Sequence, residues 1–153
     1  MKYIKEDKQA QKCLKKILHE AAQNACVAVG ILQDEPHTKN FSMVDLALVH
    51  EYGSKNGHIP ARSFIRSTCD ANQKRHFECI KKLENKYFSG HITLKQALFQ
   101  LGAIVATDMR QAINLGKISP KLKPATIKRK KSSKPLIDTG RLKGSITHEV
   151  RGI

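Results

Sequence analysis

Two groups of His, Glu and Cys residues have side chains that could hold a metal ion. One group is His50, Glu51 and His58. The other is Cys69 together with His76 and Cys79 of the stretch HFEC. Neither has the HExxH spacing that sets two histidines on one helix face, or the paired CxxC turns of a structural zinc site. The spacing favours loop histidines and helix-face cysteines instead. A metal-dependent hydrolase remains one alternative function, and stoichiometric zinc in the purified protein would indicate it.

Nucleophiles and phosphate-binding loops give no catalytic signal in this chain. Ser132 and Ser133 lie within a run of lysines, and no GxSxG turn exposes a serine for attack. Neither GxxxxGK[ST] nor GxGxxG occurs, so no glycine-rich loop is available to hold phosphates. We therefore expect a protein without enzymatic activity and without a cofactor.

The chain is strongly basic, with a formal net charge of +15 at pH 7. Residues 117–143 contain ten of its 28 Lys and Arg residues and one acid, Asp138. Because such charge density resists packing, we expect residues 117–134 to form an exposed, flexible basic arm. A basic DNA-binding protein is the alternative function, since these cations would release counterions from a phosphate backbone. However, residues 117–143 lack the aromatic side chains that stack on single-stranded bases.

Four stretches have apolar residues at helical spacing, and these helices must position the residues above. They are 7–25, 42–52, 63 to about 88, and the stretch from Thr93 to Gly116. Ser42 and Ser63 are expected N-caps. Thr93 opens the Thr-x-x-Gln form of a capping box, and Gly116 is typical of the position just after a helix.

Two short stretches have the features of strands. Residues 25–32 are rich in β-branched side chains and precede a run of breakers, which predicts a buried strand in the middle of a sheet. Residues 145–153 alternate apolar and polar side chains and predict a half-buried strand that pairs with 25–32. We expect one domain over residues 1–153, an α+β fold in which a small antiparallel sheet packs against two long helices.

The cysteines and the apolar stretches indicate a cellular setting. Four cysteines occur without CxxC spacing, and three lie in apolar or amphipathic stretches, as small buried side chains do. We expect reduced thiols, as in a cytoplasmic protein. No stretch approaches the roughly 18 apolar residues that a membrane span needs, and the first residues lack a signal-peptide core. The expected protein is soluble and does not contact a membrane.

Two stretches together carry a family pattern: LVHEYGSKNGHIPARSFIRSTCD at 48–70 and SPKLKPATIKRKKSSKPLIDTGRLKGSITHEV at 119–150. Their most specific parts are HEYG, IPAR and PLIDTGRL. In this order they resemble the tail-completion, or neck, proteins of tailed bacteriophages and prophages, over most of the chain from about Val27. The family usually has proline where this chain has Ser63.

The resemblance implies a non-enzymatic virion-assembly protein that acts where head meets tail. It implies an α+β fold and subunits that form a ring. The implied partners are other copies of this chain and proteins of the tail tube or head connector, with non-specific contact to packaged DNA. The implied location is the host bacterial cytoplasm during assembly and then the virion.

The residue pattern offers candidates for the contact surface. Pro60 has φ fixed at about −65° and makes Ile59 extended, so Arg62 and Arg66 are expected on one exposed cationic edge that meets a neighbouring subunit. An intramolecular pair between Arg62 and Glu51 is the alternative. The other expected contact residues are Lys128, Arg129, Lys130, Lys131 and Arg141.

The stretch PLIDTGRLKGSI is expected to be a docking joint. Pro135 and Gly140 predict a turn, and either of the two residues before Gly140 can cap the short helix that follows. Leu142 and Ile146 give that helix an apolar side. The joint would return the last strand to the sheet and leave the basic arm free for a partner.

Overall fold

The computed structural model describes residues 8–21, 23–130 and 133–153. Its elements are α1 (Lys8–Ala21), β1 (Cys26–Gly30), β2 (Pro36–Thr38), β3 (Phe41–Ser42), α2 (Met43–Tyr52), α3 (Arg66–Phe88), α4 (Leu94–Asn114), α5 (Pro124–Lys130), α6 (Arg141–Gly144) and β4 (Thr147–Arg151). The expected α+β class, with a small antiparallel sheet and two long helices, is confirmed. None of the described helices is both long and apolar enough to span a bilayer.

The first and last strands form one antiparallel pair. Val27 lies opposite Val150, and Val29 lies opposite His148. The predicted pairing of residues 145–153 with 25–32 is therefore confirmed. The prediction that β1 lies in the middle of a sheet is wrong, because within the described chain this sheet has two strands. A helix covers the apolar side chains of β1, which explains a strand-like apolar run without a second neighbouring strand.

That covering helix is α4, which contacts both strands and also α3. Gly102 allows the close approach, since a Cβ there would lie 2.7 Å from Val27 Cγ2 and 2.7 Å from His148 Cδ2. On the side of α4 toward α3, the buried Asp108 carboxylate lies 2.7 Å from His76 Nε2 and also pairs with Arg75. The long helix therefore joins the sheet to the rest of the fold.

Three of the predicted helix ends are confirmed. Ser42 Oγ accepts a hydrogen bond from the Asp45 N–H, and the Asp45 carboxylate accepts one from the Ser42 N–H, which begins α2. Thr93 and Gln96 form the same reciprocal box at the start of α4. Gly116, with φ of 65°, follows the end of α4 in the left-handed conformation that favours glycine.

One cluster of buried side chains connects α2, α4, α6 and the loops between them. It contains Met43, Ala47, Phe64, Ala106, Met109, Ile113, Ile118, Leu136, Leu142 and Ile146. The presence of Leu142 and Ile146 confirms that the PLIDTGRLKGSI joint docks on the core. The expectation of buried thiols is wrong, because Cys13 and Cys26 are exposed and the other two cysteines are half-buried.

The basic segment 117–134 has more structure than its charge predicts. Ile118 is 4% exposed and belongs to the core, so the expectation of an entirely exposed arm is wrong at this residue. Burying an isoleucine contributes about 1.5–3 kcal/mol, enough to anchor the start of the segment despite its charge. Helix α5 follows and buries none of its residues. Mobility of the segment beyond Ile118 stays a prediction, and Lys131 lies outside the described residues.

Candidate partner-binding groove

Glu51 connects the two halves of the first family-like motif. Glu51 is 6% exposed, and its carboxylate accepts hydrogen bonds from the Ser63 hydroxyl (2.6 Å) and from the N–H groups of Phe64 (2.9 Å), Ile65 (3.1 Å) and Arg66 (3.1 Å). Three of these donors are backbone groups at the start of α3, which have no partner inside the helix. Glu51 therefore caps α3 from the end of α2.

The prediction that Ser63 is the N-cap of α3 is wrong, because the helix begins at Arg66 and Ile65 occupies the N-cap position without a side-chain hydrogen bond. The Ser63 hydroxyl donates to Glu51 and accepts from the Ser67 N–H at 3.1 Å. Burial raises the pKa of Glu51, but the hydrogen bonds from Ser63 and from the α3 backbone lower it more, so the net pKa lies below 4.5. The ionised carboxylate faces the positive end of the α3 dipole.

Two of the metal-ligand candidates have other partners in the fold. Glu51 is occupied by the start of α3, and His76 Nε2 faces Asp108. Over the described ranges, no three or more His, Cys, Asp or Glu side chains are grouped so that they could hold a metal ion.

The loop at 53–62 folds back on the end of α2. Gly53 has φ of 85°, and a Cβ there would lie 3.1 Å from Ala61 N and 3.2 Å from Ile59 O, so only glycine fits without strain. The Arg62 N–H then donates to His50 O at 2.6 Å. HEYG and IPAR are thus held against each other.

Arg62 is turned into the fold. Its side chain is 7% exposed, and its guanidinium donates from Nε to Pro120 O at 2.8 Å and from Nη2 to Lys121 O at 3.4 Å. The prediction of an exposed edge is wrong for Arg62, and so is the alternative pairing with Glu51. The physical reason is that α3 already occupies the Glu51 oxygens, while the backbone carbonyls after Ile118 come within reach of the guanidinium.

A groove of about 800 Å³ opens beside Arg62, between loop 53–62 and the residues that follow Ile118; we call it the basic groove. Its cationic lining residues are Arg62, Lys121, Lys123, Arg129 and Lys130. Pro60 lies in one wall, and Leu136 and Asp138 of PLIDTGRL lie in another. Both family-like motifs and the basic segment therefore meet at this surface.

His50 and Leu136 give the groove unusual features. Burial, together with the charges of Arg62 and Lys130, lowers the pKa of His50 to about 4, so its ring is neutral at pH 7. Its Nδ1 is buried without a hydrogen-bond partner in the described structure. Leu136 is buried at φ of 63°, a conformation that costs a non-glycine residue about 1–3 kcal/mol and that clusters at ligand-binding sites.

The structure separates the remaining predicted contact residues. Arg66 is exposed beside a smaller cavity of about 230 Å³, away from the basic groove lining. Arg141 donates from Nη2 to Pro36 O at 2.7 Å and so ties α6 to β2. Lys128 is exposed on α5, and Lys131 cannot be placed because it lies outside the described residues.

The sequence reasoning did not bring Lys121, Lys123, His50 and Leu136 together as lining residues. It counted the two lysines only as part of the basic arm and His50 only as a metal-ligand candidate, and Leu136 reads as an ordinary core residue. The local sequence signal was Pro120, two residues after the apolar Ile118, which together indicate that this part of the arm packs against the fold.

No protein-family model matches this chain, and neither a curated protein nor a solved structure is significantly similar to it. The family resemblance therefore rests on the two motifs.

Proposed function

We propose that this chain is a non-enzymatic tail-completion, or head–tail joining, protein of a tailed bacteriophage or prophage. It would act as a subunit of a ring at the neck of the virion. The observation that carries the proposal is the meeting of HEYG, IPAR and PLIDTGRL at one groove, since stretches at 50–62 and 135–142 build a single surface although they are distant in sequence. Motif residues that shape a surface suit a docking role.

The hydrogen bonds of the motif residues support docking over catalysis. Glu51 caps α3, Arg62 holds the backbone at 120–121, and Arg141 holds β2. Each of these three charged side chains fixes a part of the fold. The one hydroxyl among their partners, that of Ser63, donates to a Glu51 carboxylate that also accepts three backbone N–H groups. Lys121, Lys123 and Arg129 are exposed cations of the groove lining, and they suit the carboxylates of a protein partner.

A second surface supports self-association. Leu48 is 50% exposed and Tyr52 is 70% exposed, and both line the smaller cavity beside Arg66. Exposed aromatic and aliphatic side chains next to an arginine are typical of protein–protein contacts. In the proposal, this surface meets a neighbouring copy in the ring, while the basic groove meets a head-connector or tail-tube protein.

The alternative is a basic DNA-binding protein, which the net charge of +15 and the clustered groove cations favour. Retention of the monomer on duplex DNA that falls steeply with salt concentration would support it. In the tail-completion proposal, contact with packaged DNA is non-specific.

Deletion of the gene from the phage or prophage that carries it tests the proposal. We expect filled heads and separate tails by electron microscopy, because a missing neck subunit leaves both halves assembled and unjoined. Expression of the chain in trans should restore tailed particles, and an antibody should label the neck. Normal yields of infectious tailed particles after deletion would refute the proposal.

A further inference from the structure

We infer that the basic groove binds an extended acidic segment of a partner protein, with carboxylates on its cations and apolar side chains against its wall. The identity of that partner as a virion protein rests on the proposed function. The binding chemistry rests on the groove itself.

The first argument is the uncompensated charge of Arg62. Arg62 is 7% exposed, and its guanidinium donates hydrogen bonds to two neutral backbone carbonyls. A buried charge is costly unless an opposite charge accompanies it. Asp138 lines the same groove but forms no ion pair with Arg62 in the described structure. A carboxylate entering the groove would supply the missing counter-charge.

The second argument is the state of the surrounding cations. Lys121, Lys123 and Arg129 are exposed, Lys130 is half-buried, and none of them forms an ion pair within the described part of the chain. Burial and the charges of Arg62 and Lys130 also keep the neighbouring imidazole of His50 neutral. The groove is therefore a region of positive potential. Its one acidic lining residue, Asp138, does not balance the charge of the cations.

The third argument separates a peptide from a nucleic acid. The groove wall includes Ile59, Pro60, Leu122 and Leu136, which offer contact to aliphatic side chains. It has no Phe, Tyr or Trp among its lining residues on which a base could stack. A carboxylate on a flexible peptide can enter and meet a recessed guanidinium such as that of Arg62, and the two have matching planar geometry.

Fluorescence anisotropy with the full chain tests the inference. The probe is a labelled peptide of repeated Glu-Leu-Gly units, compared with its Gln-Leu-Gly counterpart at physiological salt. The groove variant is Lys121→Glu/Arg129→Glu, which removes two exposed cations. The control is Lys74→Glu/Lys82→Glu, which makes the same charge change on exposed positions of α3. Circular dichroism establishes that both variants fold.

We expect the acidic peptide to bind and the Gln peptide not to bind. The groove variant should weaken binding about tenfold or more, and the control should change it by about twofold or less. Equal weakening by both variants would show that only net charge matters and would overturn the inference. Failure of the acidic peptide to bind would also overturn it.

Nucleic acid provides the competing outcome. If single-stranded or duplex DNA with the same number of charges binds more tightly than the acidic peptide and loses affinity in the groove variant alone, the groove is a nucleic-acid site. NMR titration of the histidines adds a local readout. Binding of the peptide should shift the ring resonances of His50, which lines the groove, and unchanged His50 resonances would place the peptide elsewhere.

The two proposals fail separately. Peptide binding at the groove together with normal particles after gene deletion would remove the neck function and leave the groove assignment. Unjoined heads and tails after gene deletion, without peptide binding, would support the neck function and remove the groove assignment.

Discussion

Replacing Glu51 with glutamine should destabilise the protein through the start of α3. The substitution keeps the size of the side chain and one acceptor oxygen. It removes the negative charge at the helix N-terminus, and it places an NH₂ group where an oxygen now accepts two hydrogen bonds. In the described structure, Glu51 is the side-chain acceptor for all of these donors.

The size of the effect follows from those contacts. Loss of a carboxylate near a helix N-terminus costs about 1 kcal/mol in a partly buried site. Leaving one pair of donors without an acceptor adds about 2 kcal/mol, since the Phe64 N–H is buried. We therefore expect Glu51→Gln to lower the free energy of unfolding by about 3 kcal/mol. For a chain of this length, that corresponds to a fall in Tm of roughly 6–12 °C.

The pH dependence gives a second signature. The folded-state pKa of Glu51 lies below 4.5, so the stabilisation from its charge is fully present above pH 4.5. It is lost as the pH falls through the lowered folded-state pKa. Because glutamine does not titrate, the gap in unfolding free energy between wild type and variant should narrow as the pH falls below 4.5.

Urea unfolding followed by circular dichroism, repeated from pH 7 down to pH 3, measures both effects. Glu78→Gln is the matched control, because it removes an exposed carboxylate from the middle of α3 and should change stability by at most about 0.5 kcal/mol. A Glu51→Gln variant as stable as the control, or a gap that stays constant with pH, would refute the capping role.

Gly102→Ala should lower stability by about 1–3 kcal/mol, because its methyl group would meet Val27 and His148 at 2.7 Å, and thermal melting measures the change. Gly144→Ala, with no atom within 4 Å, is the control, and equal melting of the two would contradict the close packing of α4 on the sheet. The amides of α5 should exchange rapidly, because this short helix buries no residue, and strong protection across residues 121–131 in the monomer would be contrary. Thiol titration of the unfolded protein without reductant should count four, and a count of two would indicate a disulfide.

The sequence by itself determined the ends of α2 and α4 and the pairing of β1 with β4. The capping residues Ser42, Thr93 and Gly116 act on backbone groups only a few residues away. Their role at the helix ends therefore does not depend on the rest of the fold. The alternating pattern of β4 and the apolar run of β1 likewise identify two strands that need each other. Local hydrogen bonds and side-chain period were sufficient for these elements.

Charge composition was a weaker guide. It predicted an exposed arm over 117–134, and the exposed α5 is compatible with that, but it missed the anchor at Ile118. A single isoleucine changes the average composition of the segment very little. Its burial nevertheless contributes enough free energy to anchor the start of the segment. Averages over a segment therefore cannot locate the one residue that holds it.

Only the tertiary structure decided the partners of Glu51 and Arg62. Both belong to one motif, and opposite charges so close in sequence suggested a pair. The structure instead gives Glu51 the N–H groups of α3 and Arg62 two carbonyls at 120–121. These partners depend on how α2, α3 and the chain after α4 pack together. The period of the side chains shows which face of a helix or strand is apolar, but it does not specify which distant backbone group that face will contact. The basic groove forms only where these distant segments come together in the tertiary structure.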